Sequence, residues 1–487
     1  MKSKLKAVYG KYMSIPIAAK AAMWFVFCTL LQKCISFITV PIFTRLMPTA
    51  EYGLYSTYMS WYSIIVVFCT LNIHTCVYIN GVAKAKNEKE KDAIAVPLLS
   101  LIEVITLVCF IIYTVFHKWL DKIIGLPSVM VYLMFAQILF EAPMNFWTYK
   151  QRFEFKYISL VIRTISLVVC NAALGIIFVI LSDKNQALAR VFSIVVVQAV
   201  FGGVFYLYFF KRGKKIFACR NWRHALKVQL PLVPHGLSVT VLSSADRIMI
   251  SNLVGAAEAG IYSVAYSAGY IMNVLKSSIT DSLRPWIYTK IKEKAFDDVR
   301  IITKPILLLI MIITFIFIAL APEIISIMAP SQYYEAIYVI PPVAASSFFT
   351  FLYNTFSAVS FYFEKTNKIM LASVSGAVMN LVLNAVCIPV FGYIAAGYTT
   401  LFCYMFFSFA HYLIMRKLCK DKLNGKSLFD MKFIIILSCV VIAMTVVFNF
   451  IYTMMLVRYA LVLLLCAVLF LKRESFIKPI RMLRKKK

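Results

Sequence analysis

Asp246 and Arg247 stand side by side in LSVTVLSSADRIMISNLVG (237–255), a stretch otherwise made of apolar and small polar residues. Lys33, Glu103, Glu141, Arg163, Lys276, Asp281 and Arg284 occupy similarly apolar surroundings. An ionised group at the centre of a bilayer costs at least about 2.5–3.5 kcal/mol on insertion scales, so it is retained where it faces a wet cavity or a partner. Two chemistries are open to such a set. The cations Lys33, Arg247, Lys276 and Arg284 suit an anionic cargo, because a guanidinium grips phosphate in a fork and an ammonium meets it as a point charge. The carboxylates Asp246, Asp281, Glu103 and Glu141 are candidates for ion coupling, since only a group that changes charge or coordination can couple transport to a gradient. The plainer alternative is that these charges pair with one another and hold helices together. Asp281 and Arg284, three apart, share a helix face and could pair locally. Asp246 and Arg247 diverge by about 100° around a helix and should meet different partners. Arg163 lies only a few residues into its apolar run and reads as a side chain that snorkels to the surface.

These residues have that meaning only if the runs around them cross a membrane. Hydrophobic residues make up 62% of the 487 and charged residues 15%, which excludes a water-soluble domain of this length. Apolar runs of roughly 20 residues recur along the whole chain, each enough to span about 30 Å of hydrocarbon as a helix. Fourteen spans are expected, near 21–44, 54–80, 94–117, 128–149, 158–181, 189–210, 229–254, 260–288, 305–323, 338–362, 369–390, 395–416, 433–450 and 458–471. The fold class is therefore all-α and polytopic. A β-barrel would alternate apolar and polar residues, which these runs do not. The first run is too long for a signal peptide and ends in TRLMP, so it reads as a retained helix. The net charge of +30 collects in alternate connections, such as KRGKKIFACRNWRHALK (211–227), and this places both termini in the cytoplasm. Orientation and anionic headgroups account for the basic loops without nucleic acid.

Pro231 and Pro234 open the seventh span and remove two backbone donors there, so that helix should bend or break and free carbonyls toward a cavity. Asn72, His74, Asn273, Asn354, Asn380 and Asn384 also lie inside spans. Helix-to-helix hydrogen bonding is the commoner use of such groups, and no sugar site is assigned to them.

EYGLYSTYMS (51–60) and EAGIYSVAYS (258–267) repeat Glu, Gly, Tyr, Ser and a final Ser in register. Each stands at the outer start of a span, the second and the eighth. Six spans separate them, so both enter the membrane in one direction, as parallel six-helix repeats must. Four segments follow: a first lobe (1–210), a basic cytoplasmic linker (211–227), a second lobe (228–416), and a two-helix appendix with a basic tail (417–487). Cargo in such transporters binds near the midplane in a cleft between lobes.

The twelve cysteines are scattered and form no CxxC pair, so neither a disulfide framework nor a metal site is expected. GAAEAG (255–260) has the glycine spacing of a P-loop but continues with Ile261 and Tyr262 instead of Lys and a hydroxyl residue. ATP is thus not the direct energy source. No cofactor is expected beyond a coupling proton or sodium ion.

PIFTRLMPTAEYGLYSTYMSW (41–61) resembles the helix 1 to helix 2 segment of the polysaccharide transporters in the MOP superfamily. PLVPHGLSVTVLSSADRIMISNLVGAAEAGIYSVAYSAG (231–269) is similar to that family's helix 7 to helix 8 segment, through Pro231, Pro234, Asp246, Arg247, Gly255, Gly260 and Tyr262. The resemblance implies an O-antigen-type flippase of the bacterial cytoplasmic membrane. Such proteins carry undecaprenyl-diphosphate-linked oligosaccharide units for lipopolysaccharide or other surface polysaccharide, alongside a polysaccharide polymerase and glycosyltransferases, and are not enzymes. One rival is a MATE-like drug or cation antiporter, which twelve spans and an acidic cleft would favour. The other is a membrane glycosyltransferase or polymerase, for which the longest outer connection, around 324–337, is too short.

Overall fold

The computed structural model describes residues 16–213, 216–363 and 366–471. Among them the secondary structure is helical, without strands. Each expected span falls on helical residues, the second on two separate helices. In chain order the helices are α1 (Ile17–Leu46), α2 (Thr49–Thr70), α3 (Val77–Lys84), α4 (Glu88–Ile124), α5 (Ser128–Phe153), α6 (Tyr157–Ile180), α7 (Gln186–Arg212), α8 (Cys219–Gln229) and α9 (Val233–Leu253). They continue as α10 (Ala256–Lys292), α11 (Phe296–Ala319), α12 (Ala321–Met328), α13 (Ile340–Tyr362), α14 (Thr366–Phe391), α15 (Ala395–Lys422), α16 (Met431–Ile451) and α17 (Met455–Leu471). By length and apolarity, ten described helices suffice to cross a membrane, or eleven if Ser331–Tyr338 and α13, bent by 46°, form one span. The helices that fall short do so for physical reasons. Tyr, Ser and Thr crowd α2, charges interrupt α10, and α17 is short.

The chain divides into two compact units, Met1–Leu237 and Ser238–Lys487. In the first, α7 packs on α5, α6 and α2, while α6 lies against α1. A Cβ at Gly202 would collide with the Phe140 carbonyl, so a glycine is what lets α7 approach the α5 backbone. Ile73, Tyr78, Leu99, Ile102, Phe146 and Phe209 form the buried core of this unit.

In the second unit α13 is central, packing on α15, α10, α16 and α11. Its run Pro342–Phe349 is wholly buried because Ala344, Ala345, Ser346 and Ser347 admit neighbouring backbones closely. The outward faces of both units are apolar: Ile158, Val204, Val386, Ile436 and Leu463 are all exposed. Outer faces of this kind are stable only against lipid.

Within the basic segment 211–227, α8 docks on α4. Trp222 Nε1 donates to the Pro97 carbonyl at 2.7 Å and Ala225 is buried, while Arg220, Arg223, His224 and Lys227 face outward. One 3-10 turn, Leu230–Leu232, containing Pro231, interrupts the α-helical ladder between α8 and α9. Pro234 lies in the first turn of α9, where a missing N–H costs least.

Candidate functional site

Asp246 is 1% exposed at the middle of α9. Its carboxylate accepts from three neutral donors on three other helices, each at 2.7 Å: Tyr262 Oη on α10, Asn384 Nδ2 on α14 and Thr400 Oγ1 on α15. Asn380, one turn from Asn384, donates to Thr400 Oγ1 at 3.1 Å, and Thr399 donates to Asn384 Oδ1. A fully buried acid is thus bonded by amides and hydroxyls, without an ion pair among the described residues. Hydrogen bonds to a charged group contribute roughly 1.5–3 kcal/mol each, so the three donors offset part of the cost of burying a charge at Asp246. The arrangement gathers oxygen atoms around one charge that can be gained or lost.

Arg247 turns away from Asp246, as adjacent helix positions must. Its Nη2 donates to the Ser243 carbonyl at 2.6 Å and the guanidinium lies over the Tyr266 ring, 4.5 Å from its centre. Lys276 on α10 donates to Asn273 Oδ1 at 2.6 Å. Arg284, about 12 Å further along that helix, lies over the Phe361 ring at 5.3 Å. None of the three is paired with a carboxylate among the described residues. Asp281 is exposed and does not pair with Arg284, so the local ion pair that their spacing permitted is not formed. Lys33 belongs to α1, but its side chain lies outside the described residues.

The first unit holds a second polar cluster. Glu141 on α5 accepts from Tyr62 Oη on α2, and from Asn145 Nδ2 and Gln198 Nε2, each at 3.4 Å. Tyr58 donates to Gln137 one turn away, at 2.6 Å. Glu103 is half-buried on α4, beside Tyr206. The repeated segments have matching burial: Gly53, Ser56 and Thr57 are buried like Gly260, Ser263 and Val264, and Leu54 and Ile261 are both half-buried. Their tyrosines meet opposite charges. Tyr262 donates to Asp246, whereas the Tyr55 ring lies 5.7 Å from the guanidinium of Arg190. Arg190, at the start of α7, is 7% exposed and bonds to Asn171 Oδ1 at 2.8 Å and Ser193 Oγ at 3.1 Å.

Residues 18–292 match the family described as polysaccharide biosynthesis protein. The chain belongs to that family. The polysaccharide biosynthesis family assignment agrees with the solved structures of the same fold. A structure of the lipid II flippase MurJ in an inward closed conformation is 14% identical over 93% of this chain and 99% of that one, with a TM-score of 0.66. An inward-facing multidrug resistance MATE family transporter of the MOP superfamily is 12% identical over 81% and 96%, with a TM-score of 0.61. No curated protein sequence matches the chain. Its neighbours in fold are a flippase and a transporter, and the chain shares their helical fold.

Thr399 and Thr400 are site residues that sequence reading did not single out. Tyr262 entered through the repeat and the family resemblance, without a role at the site. Arg190 also escaped notice, lying where a span begins and a cation is ordinarily wet.

Proposed function

We propose that this protein is a flippase that carries an undecaprenyl-diphosphate-linked oligosaccharide unit from the cytoplasmic to the outer leaflet, driven by an ion gradient. The observation that carries this reading is the set of cations on α9 and α10: Arg247, Lys276 and Arg284 are inside membrane helices, yet among the described residues none is neutralised by a carboxylate. A diphosphate between lipid and sugar is an anion that must cross an apolar layer, and fixed cations lower that barrier. A cation antiporter has no use for such a set. Asp246 serves coupling: protonation, or a small cation held among the oxygens of Asp246, Thr400 and Asn380, would change its charge during the cycle. Of the four acids read from the sequence, Asp246 and Glu141 have the surroundings for that role.

The test is flipping of a lipid-linked oligosaccharide in liposomes, normalised to folded protein. Arg247→Ala is expected to lower the rate roughly 10- to 100-fold, the equivalent of one charge-assisted hydrogen bond. Arg247→Lys should recover part of it, because an ammonium lacks the planar fork. Full specific activity in Arg247→Ala would remove Arg247 from the cargo path and leave Lys33, Lys276 and Arg284.

A further inference from the structure

Arg163 has no hydrogen bond or ion pair among the described residues, and its Nε is buried without a partner. It lines a groove of about 470 Å³ in the first unit, whose other walls are Trp147 of α5, Ser159, Ile162 and Ser166 of α6, and Val200 and Val204 of α7. Trp147 packs on Phe205 at 4.8 Å and closes the inner side. Ile162, Val200 and Val204 are exposed, so the groove opens on the apolar outer surface. Ser159 and Ser166, four before and three after Arg163, share its helix face. Neither hydroxyl is hydrogen-bonded among the described residues, unlike Thr148, which bonds back to the Met144 carbonyl at 2.7 Å. Glu141, the acid whose field reaches Arg163, is occupied by Tyr62, Asn145 and Gln198. The groove begins at Ser159, less than one turn beyond the basic α5–α6 turn, where Lys156 and Arg152 are exposed.

A freely snorkelling arginine would end among water and headgroups, whereas this one is held in a pocket whose mouth is apolar. We infer that the groove binds one anionic phospholipid: Arg163 grips the phosphate with Ser159 and Ser166 as added donors, and an acyl chain lies along Ile162, Val200 and Val204. Charge complementarity selects the occupant, since an apolar-walled groove with one unneutralised guanidinium fits a ligand that is anionic at one end and hydrocarbon at the other. The exposed basic turn beside it draws such lipids to the same leaflet.

The experiment uses the full-length protein in nanodiscs containing acyl-brominated phospholipid, with the Trp147 signal isolated by subtracting Trp147→Phe. Brominated phosphatidylglycerol is expected to quench Trp147 several-fold more than brominated phosphatidylcholine at equal mole fraction. Arg163→Met should abolish that preference, and Arg163→Lys should keep part of it. If Arg163→Met does not fold, Ser159→Ala combined with Ser166→Ala carries the test, with a reduced preference expected. Equal quenching by the two lipids in the wild type would overturn the proposal. So would reversal of the preference by inorganic phosphate, which would make the site one for the free anion, or an unchanged preference in the variants.

Discussion

Asp246 and Arg247 are sequence neighbours with opposite surroundings, one sealed among four helices and the other lying on an aromatic ring with no acid among the described residues to neutralise it. Two substitutions separate charge from architecture at Asp246. Asp246→Asn keeps the shape and one acceptor oxygen, so the protein should accumulate normally while flipping loses its response to an imposed ion gradient. Asp246→Leu instead strands the Tyr262, Asn384 and Thr400 donors, at about 1–3 kcal/mol each, and should lower the melting temperature of the purified protein by several degrees. If Asp246→Asn retains full gradient dependence in liposomes, coupling lies elsewhere and Glu141 becomes the next candidate. Charges within apolar runs are legible because they are rare, and so Asp246 and Arg247 stand out in the bare sequence. Their partners are not legible. Ser263 and Thr280 bond back to carbonyls of their own helix, the ordinary fate of membrane hydroxyls, and nothing in sequence distinguishes Thr400 from them.

Between helices, ion pairs hold elements that hydrophobic packing alone would leave loosely oriented against lipid. Lys150 on α5 meets Asp92 on α4 at 2.6 Å, both almost fully buried, and Arg212 at the end of α7 reaches the same carboxylate at 3.3 Å. Removing one partner of a buried pair costs about 3–5 kcal/mol, much of it the stranded charge. Lys150→Met should therefore destabilise the protein more than Lys150→Met with Asp92→Leu, as measured by thermal unfolding in detergent; the reverse order would make the pair an incidental contact. In the second unit Arg458 of α17 forks onto Glu323 of α12 at 2.8 and 2.9 Å, and Tyr459 adds a third bond to that acid. Arg458→Lys should restore less than half of what Arg458→Ala loses in melting temperature, because the fork supplies the geometry. Both residues stand at the edges of their apolar runs, where charges look like ordinary interface residues, and this is why sequence alone did not join them. Asp430 caps α16 through the Phe433 amide at 3.2 Å and pairs with Lys304 at 2.7 Å. The Lys304 bond, then the backbone amide, hold its carboxyl below the usual range. Its folded pKa being depressed, the stability it lends is fully present above the ordinary value of about 4 and is lost as pH falls through the lower folded one. Asp430→Ala should speed hydrogen exchange at the Phe433 amide near neutral pH, and Asp430→Asn, which can still cap, should speed it less.

For the molecule as a whole, the periodic apolar runs made the helices readable, since a backbone in lipid must satisfy its own hydrogen bonds and has few other ways to do so. Breaks were harder to see. The second span resolves into α2 and α3, separated by Leu71 and Asn72 in left-handed conformations, and no proline or glycine at these two positions marks the change. Segment 211–227, read as a bare linker, contains the docked helix α8 because Trp222 and Ala225 give it one apolar face among basic residues. Orientation follows from charge rather than from packing. Basic residues gather at the α5–α6 turn, at α8 and at the ends of α7, α10 and α15, all of which lie on one side if each expected span crosses once. The prediction is fourteen crossings with both termini in the cytoplasm. Single cysteines in a background without the native ones supply the measurement: at positions 87, 156, 224 and 294 they should resist an impermeant thiol reagent in intact cells, and at 126, 184 and 332 they should react. Labelling of position 224 from outside would invert the basic loops and with them the leaflet assigned to the Arg163 groove. Labelling at 332 and protection at 126 would instead mean that a span between them fails to cross, and if that span lies before residue 258 the six-span offset that sets EYGLYSTYMS and EAGIYSVAYS parallel would no longer hold.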